Sequence, residues 1–411
     1  MNNTEIIKIL LIVSFILMES FSAWLKYLDN SYIKRELPDN VKDVYDEKEY
    51  KRWLSYNKEC GRVDIIETVV LDVIMLIMLA FNIYAMIFSV FEGVNMYLQY
   101  LLVIAIYSAL ELLVAVPFSY HNIFVIEEKY GMNKSTKKTF VLDQVKDLIT
   151  NTILTCVLIF IIMFFYERFG NRGLIWATAV YVILSLLLGI VIMPIMRLYN
   201  KFDPLEDGEL KAELLSLCEK YGVKVKKICV KDASRRTTKA NAFCTGFGKR
   251  KVISLDDNLV NQYTTEQIVA VFAHEFAHAK YKHMIKSMPF SVGRMVILMA
   301  ALGVVLNVPS IYDAFGFTGM NYFFAFLVLN FVSWPVDRIM DLVGNYLSRK
   351  HEYEADAFAA KEGYGNGLVS SLKKLHKDSL TDLNPHPIVV KLTFSHPTLS
   401  QRITAIEQIG D

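Results

Sequence analysis

The sequence is poor in cysteine and nearly neutral in charge, and each shortage argues against a class of protein. Its 411 residues include five cysteines, an odd number, with no Cys-x-x-Cys pair. We therefore expect reduced thiols and not a disulfide framework. The formal net charge of +2 is small for this length, so the charge balance gives no reason to expect a nucleic-acid partner.

Apolar residues, in contrast, are abundant and occur in long runs. Hydrophobic residues make up 54% of the chain and the mean hydropathy is +0.32, which is typical of a membrane protein. The first run has no small-x-small cleavage site and is about as long as a full span, so it predicts a membrane helix and not a signal peptide. Seven spans are predicted in all, at about residues 6–24, 64–90, 97–118, 148–166, 174–197, 289–309 and 322–345.

The loops between these spans differ in positive charge. Between the first two spans, residues 29–62 have eight Lys and Arg residues, and the loop after the third span has five, whereas residues 91–95 and 310–321 have none. The positive-inside rule then places the N-terminus outside, and it places both the loop after the fifth span and the C-terminal tail in the cytosol. Asp72, Glu111 and Arg294 fall inside predicted spans, so we expect them to line a wet cavity.

The segment Val271–His283 carries the strongest chemical signal in the chain. It contains His-Glu-x-x-His, with His274 and His278 one helical turn apart and Glu275 beside the first. On a helix this spacing stacks both imidazoles on one face, where they can bind zinc, and the carboxylate can take a proton from the attacking water. A capping box of Thr264 and Gln267 predicts the start of that helix.

A third zinc ligand must come from elsewhere, and the segment after the seventh span offers His351, Glu352 and Glu354. Glu352 and Asp356 are four residues apart on one helix face. Glu352 can therefore bind the metal while Asp356 accepts a hydrogen bond from a ligating imidazole. Glu354 points away from that face.

The region between the fifth and sixth spans, about residues 199–287, reads as a small soluble domain. A helix is predicted at 208–220, with strands at 226–232, 241–247 and 251–256 and a hairpin turn at Gly246–Gly248. An exposed strand edge could pair with a peptide substrate, or the strands could simply cover the zinc helix. In the tail, His396 precedes Pro397 with Arg402 further on. His396 could either stabilise an oxyanion or act as a cap.

Five motifs, taken in order, resemble the type I CAAX prenyl proteases, which are integral-membrane zinc metalloproteases. They are I-E-E-K-Y-G-M-N-K-S-T (126–136), S-R-R-T-T-K-A-N-A-F-C-T-G-F-G (234–248), A-H-E-F-A-H (273–278), E-Y-E-A-D-A-F (352–358) and S-H-P-T-L-S-Q-R-I (395–403). The chain departs from the family pattern at Ala277, where Gly is usual, and at Lys239-Ala240, where His-Ser is usual.

The resemblance implies a set of roles for the site. One Zn²⁺ per chain would be bound by His274, His278 and Glu352, with Glu275 as the catalytic carboxylate. It further implies that Asp356 forms a hydrogen bond with a ligating imidazole, that His396 and Arg402 lie near the substrate, and that a strand binds the peptide. The strand residues are Asn241, Ala242 and Phe243.

The predicted fold is mainly α: a polytopic membrane protein of about seven helices, with a small α+β zinc metalloprotease domain. The resemblance further implies that these helices surround a water-filled chamber. We divide the chain into a membrane region (1–198), a soluble metalloprotease portion (199–287), two further spans (288–345) and a C-terminal portion supplying the third ligand (346–411). The expected membrane is the cytoplasmic membrane in a bacterium or the endoplasmic reticulum in a eukaryote.

The predicted activity is that of a zinc-dependent endopeptidase at the membrane, and the resemblance implies that it removes the C-terminal tripeptide from prenylated CAAX polypeptides. We expect a polypeptide substrate, with or without a prenyl group, together with the lipid bilayer, no nucleic acid and a monomeric chain. Two alternatives remain. One is a bacterial quality-control protease acting on unlipidated substrates, and the other is a transporter or scaffold with structural zinc, for which ligands near the middle of the membrane would be expected.

Overall fold

A computed structural model describes residues 2–32, 36–223, 225–245 and 251–410. Within these ranges the chain forms fifteen α-helices and four β-strands. In chain order they are α1 (Asn3–Tyr32), α2 (Glu47–Ala80), α3 (Ile83–Ser89), α4 (Met96–His121), α5 (Lys137–Phe169), α6 (Gly173–Tyr199), β1 (Phe202–Pro204), α7 (Glu209–Lys220), β2 (Val225–Lys231), β3 (Ala242–Thr245), β4 (Lys251–Asp256), α8 (Asp257–Gln262), α9 (Thr265–Lys280), α10 (His283–Leu306), α11 (Pro309–Ala314), α12 (Tyr322–Ala359), α13 (Gly365–Ser379), α14 (Pro387–Thr393) and α15 (Leu399–Gly410).

Five helical stretches in the described part of the chain are long and apolar enough to cross a membrane, or six if the bent pair α2 and α3 counts as one span. One of the five, Lys137–Leu187, contains both α5 and much of α6. These two helices run antiparallel, since Lys146 Nζ donates to the Leu198 carbonyl at 2.8 Å and the Tyr181 hydroxyl donates to the Leu158 carbonyl. Counted separately, they are compatible with the predicted seven.

The second span is not straight, which the apolar run alone did not reveal. α2 and α3 meet at a bend of 66°, where Asn82 has a left-handed φ of 56°. Lys8 from α1 stabilises the break, because its ammonium donates to the Ala80 carbonyl at 2.8 Å and to Asn82 Oδ1 at 2.7 Å. A cation at the C-terminus of α2 also complements the helix dipole.

Polar side chains inside the bundle gather around a cavity of about 660 Å³. Asp72 and Arg294 both line it, as the sequence predicted, together with Glu19 and Asp337. Arg294 donates to Asp337 at 2.7 Å, so its charge is paired within the bundle and does not face lipid alone. Glu111 is exposed on α4 and is not among the residues that line this cavity.

The region after α6 forms a four-stranded sheet in the order β1-β2-β4-β3. β2 and β4 are parallel, and the outer strands pair antiparallel with them. The register Thr245↔Val252 confirms the predicted hairpin of β3 and β4, although its turn, Gly246–Gly248, lies outside the described residues. β3 is the last strand in the order, so its outer edge has no neighbouring strand among the described residues.

Helix α9, which carries His-Glu-x-x-His, is the most buried helix of the soluble region. Its predicted capping box is present, since the Thr264 amide donates to the Gln267 side chain and the Gln267 amide donates back. Phe272 and Phe276 are fully buried, and α13 packs closely on the first turns of the helix. A methyl group at Gly367 would lie 3.2 Å from Ala270 Cβ, so only glycine permits this approach without adjustment.

Two membrane helices continue into the soluble region and carry parts of the site. α12 has 38 residues, a length of about 57 Å, which exceeds the roughly 30 Å hydrocarbon core of a bilayer. Its C-terminal part therefore extends beyond the predicted span 322–345. Only two residues separate the end of α9 at Lys280 from the start of α10 at His283. The helix with the zinc motif is therefore joined almost directly to a membrane helix.

Candidate metal centre

Three side chains from two helices converge at the centre of the soluble region. His274 and His278 of α9 have their Nε2 atoms 3.2 Å apart. Glu352 of α12 lies opposite, with Oε2 3.4 Å from His274 Nε2 and Oε1 3.3 Å from His278 Nε2. Within the described residues this is the only group of three or more His, Cys, Asp or Glu side chains whose ligand atoms all lie within 4.8 Å of one another.

The other nitrogen of each imidazole has a partner of its own. His274 Nδ1 lies 2.8 Å from Asp356 Oδ1, and His278 Nδ1 lies 3.0 Å from His283 Nδ1. Since a carboxylate can only accept, the proton of neutral His274 belongs on Nδ1, which leaves the Nε2 lone pair facing inward. Two imidazole lone pairs and the Glu352 carboxylate then point at one another.

Such a convergence of acceptors fits a cation. Glu352 Oε2 is buried without a hydrogen-bond donor in good geometry, and a buried carboxylate oxygen left in this way is costly unless a positive charge neutralises it. Burial and the Arg402 charge lower the pKa of His274, but the nearby carboxylates of Asp356 and Glu352 outweigh them and raise it to about 9. The pocket therefore favours a positive charge, which either a proton on the ring or a metal ion can supply. The nitrogen and oxygen donors suit zinc.

Asp356 is held in turn by a buried arginine. Arg402 of α15 forms two parallel hydrogen bonds with it, Nε to Oδ2 at 2.8 Å and Nη2 to Oδ1 at 2.6 Å. Asp356 is 1% exposed and Arg402 is 8% exposed. This bidentate geometry is the strong form of a charged hydrogen bond, so it fixes the carboxylate that orients His274. The guanidinium is also 3.9 Å from Glu352.

Glu275 faces the same cleft but is not part of the three-residue group. Burial raises the pKa of its carboxyl above the ordinary value. A carboxylate with a raised pKa is a better proton acceptor near neutral pH than an exposed one, which is the property required of a general base. The arrangement therefore places two carboxylates in different settings, with Glu352 between the two imidazoles and Glu275 beside that group.

The cleft over these residues has a volume of about 190 Å³. Asn241 and Ala242 of the edge-strand segment line it on one side, and His396 lines it on the other. His396 Nε2 is 3.6 Å from Glu352 Oε1 while its side chain is 62% exposed, and Ser395 Oγ lies 2.9 Å from His396 Nδ1. Phe243 is not among the lining residues. It follows Ala242 on β3, so its side chain lies on the opposite face of the strand.

The structure also brings in two residues whose roles sequence reasoning missed, His283 and Glu354. His283 Nδ1 contacts His278 and its Nε2 lies 3.1 Å from Glu354 Oε2. Glu354 does leave the ligand face of α12, as helix geometry predicted, but it points toward His283. The sequence offered one indication of a role for His283, which is that it is the last residue of the segment Val271–His283 that carries the zinc motif.

Two family models match adjoining parts of this chain. A family model described as the CAAX prenyl protease N-terminal region with five membrane helices matches residues 28–201, and a model of peptidase family M48 matches residues 204–410. CAAX prenyl protease 1 of Saccharomyces cerevisiae is 29% identical over 95% of this chain and 93% of its own length. A probable CAAX prenyl protease 1 of Schizosaccharomyces pombe is 31% identical over 94% and 86%.

A solved structure agrees in fold over the whole length. The crystal structure of S. mikatae Ste24p superposes with a TM-score of 0.91 at 28% sequence identity, covering 98% of this chain and 99% of that chain. The resemblance drawn from the five sequence motifs is thereby confirmed, as is the mainly helical membrane fold with a small sheet. The chain belongs to the CAAX prenyl protease group of peptidase family M48 and is a membrane metalloprotease.

Proposed function

We propose that this protein is a zinc endopeptidase that removes the C-terminal tripeptide of prenylated CAAX-type polypeptides at a membrane. The observation that carries the proposal is the convergence of His274, His278 and Glu352, three metal-type ligands held by two helices, α9 and α12. Three protein ligands beside an open cleft are typical of catalytic zinc, whereas structural zinc is closed by four. The names of the matched relatives suggest the substrate class.

In this proposal His274, His278 and Glu352 hold one Zn²⁺ per chain, which supplies a Lewis acid and lowers the pKa of water in the cleft. Glu275 takes the proton of the attacking water and passes it to the leaving amine. His396, exposed at the rim and close to Glu352, donates a hydrogen bond to the oxyanion that develops on the substrate.

The peptide is proposed to dock along the outer edge of β3. Asn241 and Ala242 line the cleft, so a strand added at that edge would run past Glu275 with its backbone hydrogen bonds satisfied. Phe243 would contact the substrate only beyond the cleft. Arg402 supports the site through Asp356 in the geometry observed, and its direct contact with substrate stays a prediction. Lys239, one of the departures from the family pattern, forms an ion pair with Glu127 at 2.8 Å.

The remaining predictions concern placement. Both parts of the site lie on the side that the loop charges assign to the cytosol, with the N-terminus outside and the chain monomeric. The protein would lie in the endoplasmic reticulum membrane of a eukaryote or in the cytoplasmic membrane of a bacterium. We keep the division of the chain at residues 198, 287 and 345 because it separates the membrane segments from the segments that supply the site residues. The last boundary lies within α12. A transporter with structural zinc is disfavoured, because the ligands lie outside the bundle cavity.

The test is hydrolysis of a synthetic peptide that ends in a farnesylated CAAX sequence, with the released tripeptide measured by mass spectrometry. The enzyme is purified in detergent with zinc, and Glu275→Gln serves as the matched variant. We expect release by the wild type and a loss of at least about a thousandfold in kcat for the variant, with zinc content unchanged. Failure of the wild type to cut any peptide in a zinc-dependent way would contradict the proposal.

The same peptide without the farnesyl group separates the two protease alternatives. A prenyl-dependent enzyme should cut it much more slowly than the farnesylated form, since binding energy from the lipid is then lost. Equal rates for the two peptides would favour a quality-control protease acting on unlipidated chains. The Lys239-Ala240 departure lies next to the docking strand and is the sequence feature that makes this comparison necessary.

A further inference from the structure

His283 lies against the face of His278 that points away from the cleft. Its ring is 4% exposed, and its Nδ1 is 3.0 Å from His278 Nδ1 while its Nε2 is 3.1 Å from Glu354 Oε2. The two nitrogens of one ring therefore connect a metal-type ligand on α9 with a carboxylate on α12. Neither His283 nor Glu354 belongs to the group formed by His274, His278 and Glu352.

The hydrogen-bond chemistry of this row allows one consistent arrangement of protons. Glu354, as a carboxylate, accepts from His283 Nε2–H, so neutral His283 presents a lone pair at Nδ1. That lone pair accepts from His278 Nδ1–H, and His278 is then left with its own lone pair at Nε2. His278 is thereby fixed in the tautomer that a metal requires, with the ring turned toward Glu352.

The backbone and the neighbouring rings hold His283 in this position. Lys282 adopts a left-handed φ of 57°, uncommon for a residue other than glycine, and this turn lets α10 begin directly under His278. The ring of His351 stacks on that of His283 with centroids 4.2 Å apart and planes within 6°. Strain of this kind persists only where the surroundings impose it, and it concentrates at functional sites.

We propose that His283 and Glu354 form a positioning relay for His278, which sets its tautomer and ring orientation for metal binding. This inference rests on the proposed function in one respect, because it takes His278 as a zinc ligand. Since His283 is the first residue of α10, the relay also ties the metal site to the start of a membrane helix. His283 is a positioning residue here and contacts neither the cleft nor the substrate.

Substitutions of His283 can test the relay, because different side chains replace different hydrogen bonds of the imidazole. Asparagine at position 283 places its Oδ1 where the ring Nδ1 lies, so His283→Asn can still accept from His278. Glutamine can reach Glu354 but does not present an acceptor at the Nδ1 position, and leucine can do neither. Lys286→Met is the matched control, because Lys286 is the other partner of Glu354, at 3.6 Å, and is half-exposed.

The experiment measures the zinc dissociation constant of the full-length enzyme in detergent by competition with a chromogenic chelator. We expect His283→Leu and His283→Gln to weaken zinc binding by about 10- to 100-fold, as loss of an outer partner of a ligand usually does. His283→Asn should stay within about threefold of the wild type, and Lys286→Met within about twofold. The visible spectrum of the cobalt-substituted protein should change for leucine and glutamine but not for asparagine.

Wild-type zinc affinity in both the leucine and glutamine variants would overturn the relay, and so would an asparagine variant as weak as leucine. Unfolding of the metal-free forms is measured in parallel, so that a general loss of folding is recognised by its effect on all three substitutions alike. His278→Ala separates this result from failure of the proposed function. If that variant keeps full zinc content, the ligand assignment itself is wrong, whereas its expected loss leaves the relay to be judged by His283 alone.

Discussion

The two histidines of the candidate metal centre differ in the partner that contacts the Nδ1 atom of each ring. His274 donates to Asp356, which is fully buried and locked by a two-pronged pair with Arg402. His278 contacts neutral His283, whose carboxylate partner Glu354 has a side chain that is 35% exposed. One support is a buried ion pair and the other is a half-exposed relay, yet both leave an imidazole lone pair pointing inward.

The two supports therefore differ in how strongly solvent can affect them. The buried support joins α12 to α15 inside the soluble core, where removing one charge leaves the other without compensation. The exposed support joins α9 to α10 and α12 at the start of a membrane helix, where water and salt can substitute for a lost partner. We therefore expect mutations in the first to affect folding and mutations in the second to affect mainly the metal.

The largest effect is expected for Asp356→Ala. It removes the acceptor of His274 and leaves the buried Arg402 guanidinium without its bidentate partner, with only Glu352 at 3.9 Å, at a cost of about 3–5 kcal/mol in the free energy of unfolding. The measurement is urea unfolding of the metal-free protein in detergent. Asp356→Asn keeps the shape of the side chain and an acceptor oxygen, and should lose less. A cost below about 1 kcal/mol for alanine would contradict the strong, buried character of this support.

A smaller effect is expected for Glu354→Gln in the exposed support. The amide still accepts from His283 but carries no charge, so we expect zinc binding weaker by about threefold to tenfold and a stability change under about 1 kcal/mol. Zinc competition at low and high salt checks this, because the contribution of a half-exposed carboxylate should shrink as salt is added. Equal losses of folding stability in Glu354→Gln and Asp356→Asn would remove the distinction between the supports.

The smallest effect is expected for Lys282→Gly, in the turn that places His283. Glycine adopts the left-handed region without steric cost, so we expect the unfolding free energy to change by no more than about 1 kcal/mol, in the stabilising direction. Zinc affinity should stay within about twofold of the wild type. A marked loss of zinc affinity would mean that the Lys282 side chain, and not the turn, positions the relay.

The parts of this site that could be predicted from sequence are those fixed by local geometry. The spacing of His274 and His278, the capping box at Thr264 and the shared face of Glu352 and Asp356 all follow from the 3.6-residue repeat of a helix. The structure places all of them as that geometry requires. The order of five motifs along the chain predicted the protein family. No single motif could have indicated the family with the same specificity.

The parts that could not be predicted depend on how separate helices meet. The position of His283 requires the turn at Lys282, and no residue pattern marks that turn because lysine rarely adopts it. Helix geometry placed Glu354 off the ligand face but could not say which neighbour lay there. The bend between α2 and α3 depends on Lys8, which is distant in sequence. These features follow from tertiary packing and not from local propensity.

In our proposal one metal ion is held jointly by α9 and α12, and this can be measured by zinc stoichiometry together with X-ray absorption at the zinc edge. The wild type should bind one zinc per chain with two imidazole ligands and oxygen in the remaining positions. Glu352→Ala should keep the imidazole signal but bind zinc far more weakly, since the ligand from α12 is lost. Unchanged stoichiometry, affinity and spectrum in Glu352→Ala would contradict the claim.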